Sequence, residues 1–496
     1  MVGHGWRAAM ITGSTLAAFA ASTPRRTSLN WADPLLLGGA LFAALMMLAD
    51  RLLGDPDTQW HIAIGARIWR EGAIPWIDQH SHTFAGAPWI AKEWLSQLIL
   101  SGAYGLAGWS GVTILTAAVL AAVFALLFGW LERRFRAMVA LAATLLAIMF
   151  VAPHFLVRPH VFALATLLGW TIGLANARER GRAPPWRLFP LLVLWANLHG
   201  SFTVAYPLAG LFAAEAVLFA PAGQKLATAA RWALFGALAL VAGCATPYGI
   251  QSMAVTATLF GSAEPLPFLI EWQPLALDAG GLLALGSMAL LLAGLAVEPR
   301  RNAFRILGIA GLTAMTLRHG RFLDVLALAA PVLAAGPIAR RWPGLGPERS
   351  EGPSRGLHQR RLPLAAIGAV ALGLMLSRSP EPDPVMTPVA ALEAARRAGV
   401  SGPVFNDYDF GGFLIRQGVP TFIDGRTDQL FLGGFISSLY RAVRTEADGP
   451  FLELLARYRV TWALVKPGSS DAQHLERAPG WRRAYRDGVA ALYLRD

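Results

Sequence analysis

Leu53-Gly54-Asp55-Pro56-Asp57-Thr58-Gln59-Trp60-His61 opens a polar stretch that runs to Gly111 and includes Ala91-Lys92-Glu93-Trp94-Leu95-Ser96-Gln97. An apolar run precedes it, Pro34 to Leu53, and another follows it, Val112 to Leu131. The stretch carries Asp55, Asp57, Glu71, Asp78 and Glu93, with His61, His80 and His82 and six tryptophans from Trp60 to Trp109. Tryptophan favours a membrane boundary, because its ring is apolar and its N–H needs a wet partner. Carboxylates this close to a bilayer are costly unless they meet water, a metal or a substrate. The stretch therefore reads as a surface loop between two membrane spans, and as the place where chemistry is done.

The rest of the chain supports that frame. Of 496 residues, 55% are hydrophobic and 15% charged, against about 25% charged in an average soluble domain. The class is a polytopic membrane protein. A formal charge of +12 would suggest nucleic acid in a soluble protein. Here the arginines sit in short loops between spans, so they read as topological signals and no nucleic-acid partner is expected. The single cysteine, Cys244, lies in an apolar run and excludes a disulfide framework within the chain.

A spanning helix needs about 20 apolar residues, which gives about eleven segments. They lie near 34–53, 112–131, 138–156, 160–176, 187–203, 204–221, 231–247, 279–297, 304–318, 322–338 and 362–377. Pro24-Arg25-Arg26 before the first span places the N-terminal segment, 1–33, in the cytoplasm. Alternation then puts every strongly basic loop on that side, including Arg340 to Arg361. The opposite side receives the 54–111 loop, His154 to His160, Asn197 to Gly200, Thr246 to Asp278, and Arg318-His319-Gly320-Arg321. Polar groups gathered at one face predict one shared site in a membrane domain spanning 34–378. Within the 54–111 loop, Thr58–Glu71 and Trp89–Leu106 have helical spacing and read as amphipathic helices lying in the interface.

The tail, 379–496, changes period and reads as a small α/β domain on the same side as the site. Pro388–Ala398 and Phe451–Tyr458 read as helices, with Thr387 as a cap. Pro403–Phe405, Pro420–Ile423 and Val460–Val465 read as strands. Arg483–Leu494 reads as a hairpin turning at Asp487-Gly488.

Asp55-Pro56-Asp57 at the mouth of the first span, Trp60-His61, and Ile74-Pro75-Trp76-Ile77-Asp78 resemble the first external loop of the GT-C superfamily of membrane glycosyltransferases. Asp55-Pro56 is similar to the Asp-Pro start of the oligosaccharyltransferase catalytic subunit. Tyr408-Asp409-Phe410-Gly411 resembles that subunit's Trp-Asp-Tyr-Gly signature, and Pro420-Thr421-Phe422-Ile423-Asp424-Gly425 resembles the stretch after it. The resemblance implies transfer of a sugar from a polyprenyl phosphate or diphosphate carrier to a glycan, lipid or protein acceptor of the cell envelope. With the side that the basic loops assign, it places the chain in a bacterial inner membrane, N-terminus cytoplasmic and tail periplasmic. The subunit's acidic metal ligands before the fourth span have no counterpart in His154–His160. A divalent ion such as Mg or Mn is therefore left without a clear ligand set, and a late external glutamate matches either Glu264 or Glu271.

Glycosyl transfer needs a base for the acceptor hydroxyl and cations for the leaving phosphate. Asp55 and Asp57 are the base candidates, and the bland alternative is that Asp-Pro-Asp caps the following helix. Arg158, His160, Arg318, His319 and Arg321 are the lipid-phosphate candidates, because guanidinium groups fork onto phosphate. The alternative is that these arginines snorkel from span ends. His61, Glu93, Glu271, Asp409, Asp424 and Arg426 are expected to line the cavity or face the acceptor. His80, His82 and His199 are histidines of metal-binding type that equally serve as hydrogen-bonded interface residues. Two rival functions predict other features. A flippase for lipid-linked sugars would spread polar residues through its spans, and a non-catalytic envelope scaffold would need no buried base.

Overall fold

The computed structural model describes residues 33–261, 273–347, 366–368, 370, 373 and 379–496. Glu264, Glu271 and most of the predicted final span, 362–377, lie outside them, as does the N-terminal segment up to 32. Six described helices are long and apolar enough to cross a membrane: Trp94–Glu132, Ala137–His154, His160–Glu179, Gly200–Leu218, Ala222–Gly243 and Gly320–Arg341. Pro34–Met47, Leu188–Leu198 and Ala279–Leu295 are shorter apolar helices. Pro299–Arg318 is a further long helix beside them.

Local chemistry sets the helix ends. Asp33 caps Pro34–Met47 by accepting the Leu35 N–H at 2.9 Å, and proline fills the first helical position. Asp278 caps Ala279–Leu295 in the same way through Gly281 N–H. Trp94–Glu132 is two helices in sequence, since Ala107 and Gly108 leave helical geometry and Gly108 takes a φ of +58°. The break separates the surface piece, Trp94–Leu106, from the span that follows. Leu323–Arg341 is the most enclosed helix and forms the centre of the bundle.

The basic loops gather at one end of the bundle. Arg134 bonds Glu179 at 2.6 Å. Arg178 reaches Glu215 at 3.2 Å, and Arg305 pairs with the same carboxylate while lying over the Phe212 ring. The other end carries the 54–111 loop and the tail.

The tail holds a four-stranded sheet of β1 (Val404–Asn406), β2 (Trp462–Val465), β3 (Trp481–Arg486) and β4 (Ala491–Arg495), in the order β1-β2-β4-β3. β1 runs parallel to β2, and β4 is antiparallel to both β2 and β3. The hairpin turns where expected, with Asp487 accepting the N–H groups of Val489 and Ala490. Pro420–Ile423 is not a strand. Thr421 makes an isolated bridge to Ser81, and Phe422 N–H is taken by the Asn406 side chain. Thr387 does not cap its helix; its hydroxyl bonds the Asp383 carbonyl at 3.1 Å.

Of the two helices expected in the lipid interface, the first packs one of its faces on the tail. Asp57–Glu71 forms and stops at Gly72, whose φ is +62°. Its apolar face, Trp60, Ile64 and Ile68, packs against Phe405, Ile415, Phe422, Ile423 and Phe431 of the tail. The loop and the tail thus share one apolar core, in which these side chains are removed from water. Two glycines permit the approach. A Cβ at Gly412 would overlap the Pro56 carbonyl oxygen, and one at Gly425 would overlap Asp57 Oδ1.

Candidate functional site

Asp55 and Asp57 meet Arg158 at the mouth of the first span. Asp55 Oδ1 accepts the Asp57 N–H at 2.7 Å, so Asp55 does cap the turn into the helix. Its other oxygen lies 3.2 Å from an Arg158 Nη, and the second Nη donates to Asp57 Oδ2. Thr58 Oγ1 donates to the Val157 carbonyl at 2.8 Å, and Val157 N–H to the Leu52 carbonyl at 2.8 Å. These bonds lock the arginine loop onto the acidic turn. Both carboxylates are nearly enclosed, Asp55 6% and Asp57 5% exposed. Burial pushes the Asp57 carboxyl up to about 7, Arg158 acting in the opposite direction. The same two carboxylates hold Arg158 firmly in its charged form against its burial.

A second layer follows. Glu93 Oε1 faces His199 Nε2 at 3.4 Å, and Glu93 Oε2 faces His61 Nε2 at 3.9 Å. His199 Nδ1 accepts the Ser201 N–H, so its proton sits on Nε2, toward Glu93. Burial lowers His61 and His199 far below the usual imidazole range and raises Glu93, with Lys92 opposing the rise. Lys92 pairs with Asp428 of the tail. Arg321 completes the layer, its charge acting on Lys92, Glu93 and His199. His154 Nδ1 bonds Asp324 at 2.7 Å and its carbonyl bonds His160 Nε2 at 2.7 Å, which ties the Arg158 and Arg321 segments together.

The expected residues therefore divide. Asp55, Asp57, His61, Glu93, Arg158, His160 and Arg321 come together. Arg318 is exposed, and His319 packs beside Phe322 with ring centres 6.4 Å apart. Asp424 and Arg426 are fully enclosed. Arg426 bonds Asp424 through Nε and Nη2, both at 2.7 Å, and donates to Asp78 through Nη1. Thr421 adds a bond to Asp424 at 2.7 Å, and the guanidinium lies 5.2 Å from the Trp89 ring centre. This trio is a clamp between loop and tail. Asp409 pairs with Lys466 inside the tail. Its neighbour Tyr408 instead lies in the field of Asp57 and Arg158. Asp324 carried no sequence signal beyond being a polar residue at a span end, whereas Tyr408 opens the Tyr408-Asp409-Phe410-Gly411 stretch that resembles the oligosaccharyltransferase signature.

Among the described residues no group of three His, Cys, Asp or Glu side chains is arranged to hold a metal. The cation between Asp55 and Asp57 is the Arg158 guanidinium. His80 and His82 sit with the tail, His82 Nε2 bonding the Val404 carbonyl at 2.8 Å, apart from His199. Among the described residues the donor set does not fit a divalent ion.

Beside this layer lies a groove of about 850 Å³ lined by Trp94, Leu95, Phe189, Val193, Asn197 and Pro247 among others. Asn197 is held at its edge by Trp94 Nε1 at 2.8 Å.

No protein-family profile matches the sequence, and neither does any curated protein. Solved structures do match it in shape. An oligosaccharyltransferase from Archaeoglobus fulgidus aligns over 88% of this chain and 69% of its own, with a TM-score of 0.51 at 11% identity. The likeness is one of fold. ArnT from Cupriavidus metallidurans aligns over 92% of this chain and 97% of its own, with a TM-score of 0.47 at 15% identity. In this chain the 54–111 loop, the Arg158 loop and the tail converge on Asp57.

Proposed function

We propose that this chain is a membrane glycosyltransferase of the GT-C type that moves a sugar from a polyprenyl phosphate or diphosphate carrier to a hydroxyl of a cell-envelope acceptor, on the periplasmic side of the bacterial inner membrane. The observation that carries the reading is the placement of Asp57. It is a buried carboxylate with a raised pKa, beside Arg158, at the membrane mouth of a polar layer. The likeness to an oligosaccharyltransferase supports glycosyl transfer as the reaction class.

Asp57 is the base. It takes the proton of the acceptor hydroxyl as that oxygen bonds the sugar's anomeric carbon and the bond from that carbon to the phosphate oxygen breaks. Asp55, committed to the Asp57 N–H, positions the turn. A carboxylate titrating near the working pH combines availability with basicity. Arg321 and Arg158 face the leaving phosphate, whose charge grows in the transition state, and Lys92 adds to the field. The apolar groove beside Asn197 suits the polyprenyl chain. Gln97 Oε1, buried next to His61 and without a partner among the described residues, suits a sugar hydroxyl.

The test is transfer by purified protein in proteoliposomes. Polyprenyl-phosphate-linked radiolabelled sugars are supplied with an envelope extract as acceptor. Label should move from the carrier with wild type and stay with Asp57→Asn. Equal label on the carrier with both proteins, across a panel of common sugars, overturns the reading.

A further inference from the structure

The helix that carries Asp57 has two working faces. Asp57 and His61, one turn apart, face the reactive layer. Ala63, Ala66, Arg67 and Arg70 fall on another side of the helix by the same periodicity. That side opens on a separate cavity of about 680 Å³, closed by Ser101 and Tyr104 of the surface helix and by Ile415 and Arg416 of the tail.

The cavity is cationic. Arg67, Arg70 and Arg416 line it, and Glu71, the only carboxylate lining it among the described residues, pairs with Arg67 at 2.9 Å. Arg416 is aimed rather than loose. It donates to the Tyr104 hydroxyl, and its guanidinium lies 4.7 Å from the Tyr104 ring centre and 4.6 Å from that of Trp109. Burial lowers His80, at the rim, to about 4, with Arg426 adding to the effect, so it enters as a neutral donor or acceptor. The floor is small and apolar, Ala63 and Ala66. Next to the opening stand Leu106, 90% exposed, and Trp69, 64% exposed. Just beyond, the helix breaks at Gly108 and continues as the apolar helix read as a span. Exposed leucine and tryptophan beside a span entry mark the headgroup level of a membrane.

We propose that this cavity binds the phosphate headgroup of an anionic phospholipid, outside the reactive layer. Arginines suit phosphate through paired donors, and the exposed apolar residues suit its acyl chains. The lipid would bridge Arg70 of the Asp57 helix to Arg416 of the tail and so hold the two together from the side away from the chemistry. The binding does not depend on the catalytic reading above.

The experiment is native mass spectrometry of the full chain, stripped in neutral detergent and titrated with phosphatidylglycerol or, separately, with glycerol phosphate. Wild type should retain one tightly held phosphatidylglycerol. The Arg70→Gln/Arg416→Gln protein should bind it about tenfold more weakly or worse, the expected cost of charged hydrogen bonds. Arg182→Gln, at the basic end of the bundle, should bind as wild type. Ala66→Trp fills the cavity with all charges kept and should also block binding, which separates a site from general attraction. Unchanged affinity in both the arginine double variant and Ala66→Trp overturns the proposal. So does saturation by glycerol phosphate at the concentrations at which the lipid binds, because that identifies a soluble ligand.

Discussion

Gly425 of the tail stands against Asp57 of the first loop so closely that a methyl group at 425 would overlap the carboxylate oxygen Oδ1. The residue proposed as base is therefore covered by the tail, and the tail's backbone fixes where its carboxylate lies. Gly425→Ala must displace one or the other. Transfer is expected to fall by about 10²-fold, the usual cost of a misplacement near 1 Å. The rate of sugar transfer in proteoliposomes checks this. Wild-type rates would show that the contact leaves the base untouched.

Asp57→Asn keeps the shape of the side chain and removes the base. A loss of about 10²-fold or more in transfer is expected. Asp55→Asn keeps a carbonyl oxygen that still accepts the Asp57 N–H, so its loss should be smaller. A larger loss in Asp55→Asn, measured with the same carrier, would exchange the two roles.

The pH profile follows from the buried Asp57. A base acts ionised, and its folded pKa is raised to about 7, so transfer should fall as pH drops through about 7. Arg158 pulls that pKa down. Removing its charge in Arg158→Gln should move the acid limb to higher pH, apart from any loss in maximal rate. A limb that stays in place, or moves to lower pH, would show that a different group titrates.

Arg321 and Arg318 are two residues of the same loop with different surroundings. Arg321→Ala should weaken binding of polyprenyl phosphate by about tenfold, the worth of one charged hydrogen bond. The exposed Arg318→Ala should bind as wild type. Titration of the lipid into each folded protein decides, and equal affinities would exclude Arg321 from the phosphate site.

Arg426→Ala leaves Asp78 and Asp424 buried without their cation. Loss of one partner from such a group costs about 3–5 kcal/mol. The tail should detach from the loop, read as a lower melting temperature and faster proteolysis after Pro384. An unchanged melting curve would show that the clamp contributes little.

The sequence by itself determined the membrane class, the division between basic and polar loops, and the acidic turn at Asp55-Pro56-Asp57. These are properties of composition and local period, and they survive any arrangement of the spans. It also placed the Asp57–Glu71 helix and the Asp487-Gly488 hairpin, since Gly72 and the turn residues act over a few bonds. Only the tertiary structure decided which charges serve the site. Arg318 and Arg321 are alike in sequence, but Arg318 is exposed while Arg321 is half-buried and its charge acts on Lys92, Glu93 and His199. Asp424 and Arg426 read as residues lining the cavity or facing the acceptor, but Asp78, more than three hundred residues away in sequence, closes over them. The apolar face of the Asp57 helix suited lipid and tail equally well, and the two glycines that let the tail backbone come close settled the choice. Such pairings depend on which distant surfaces exclude water together, a quantity that no local stretch encodes.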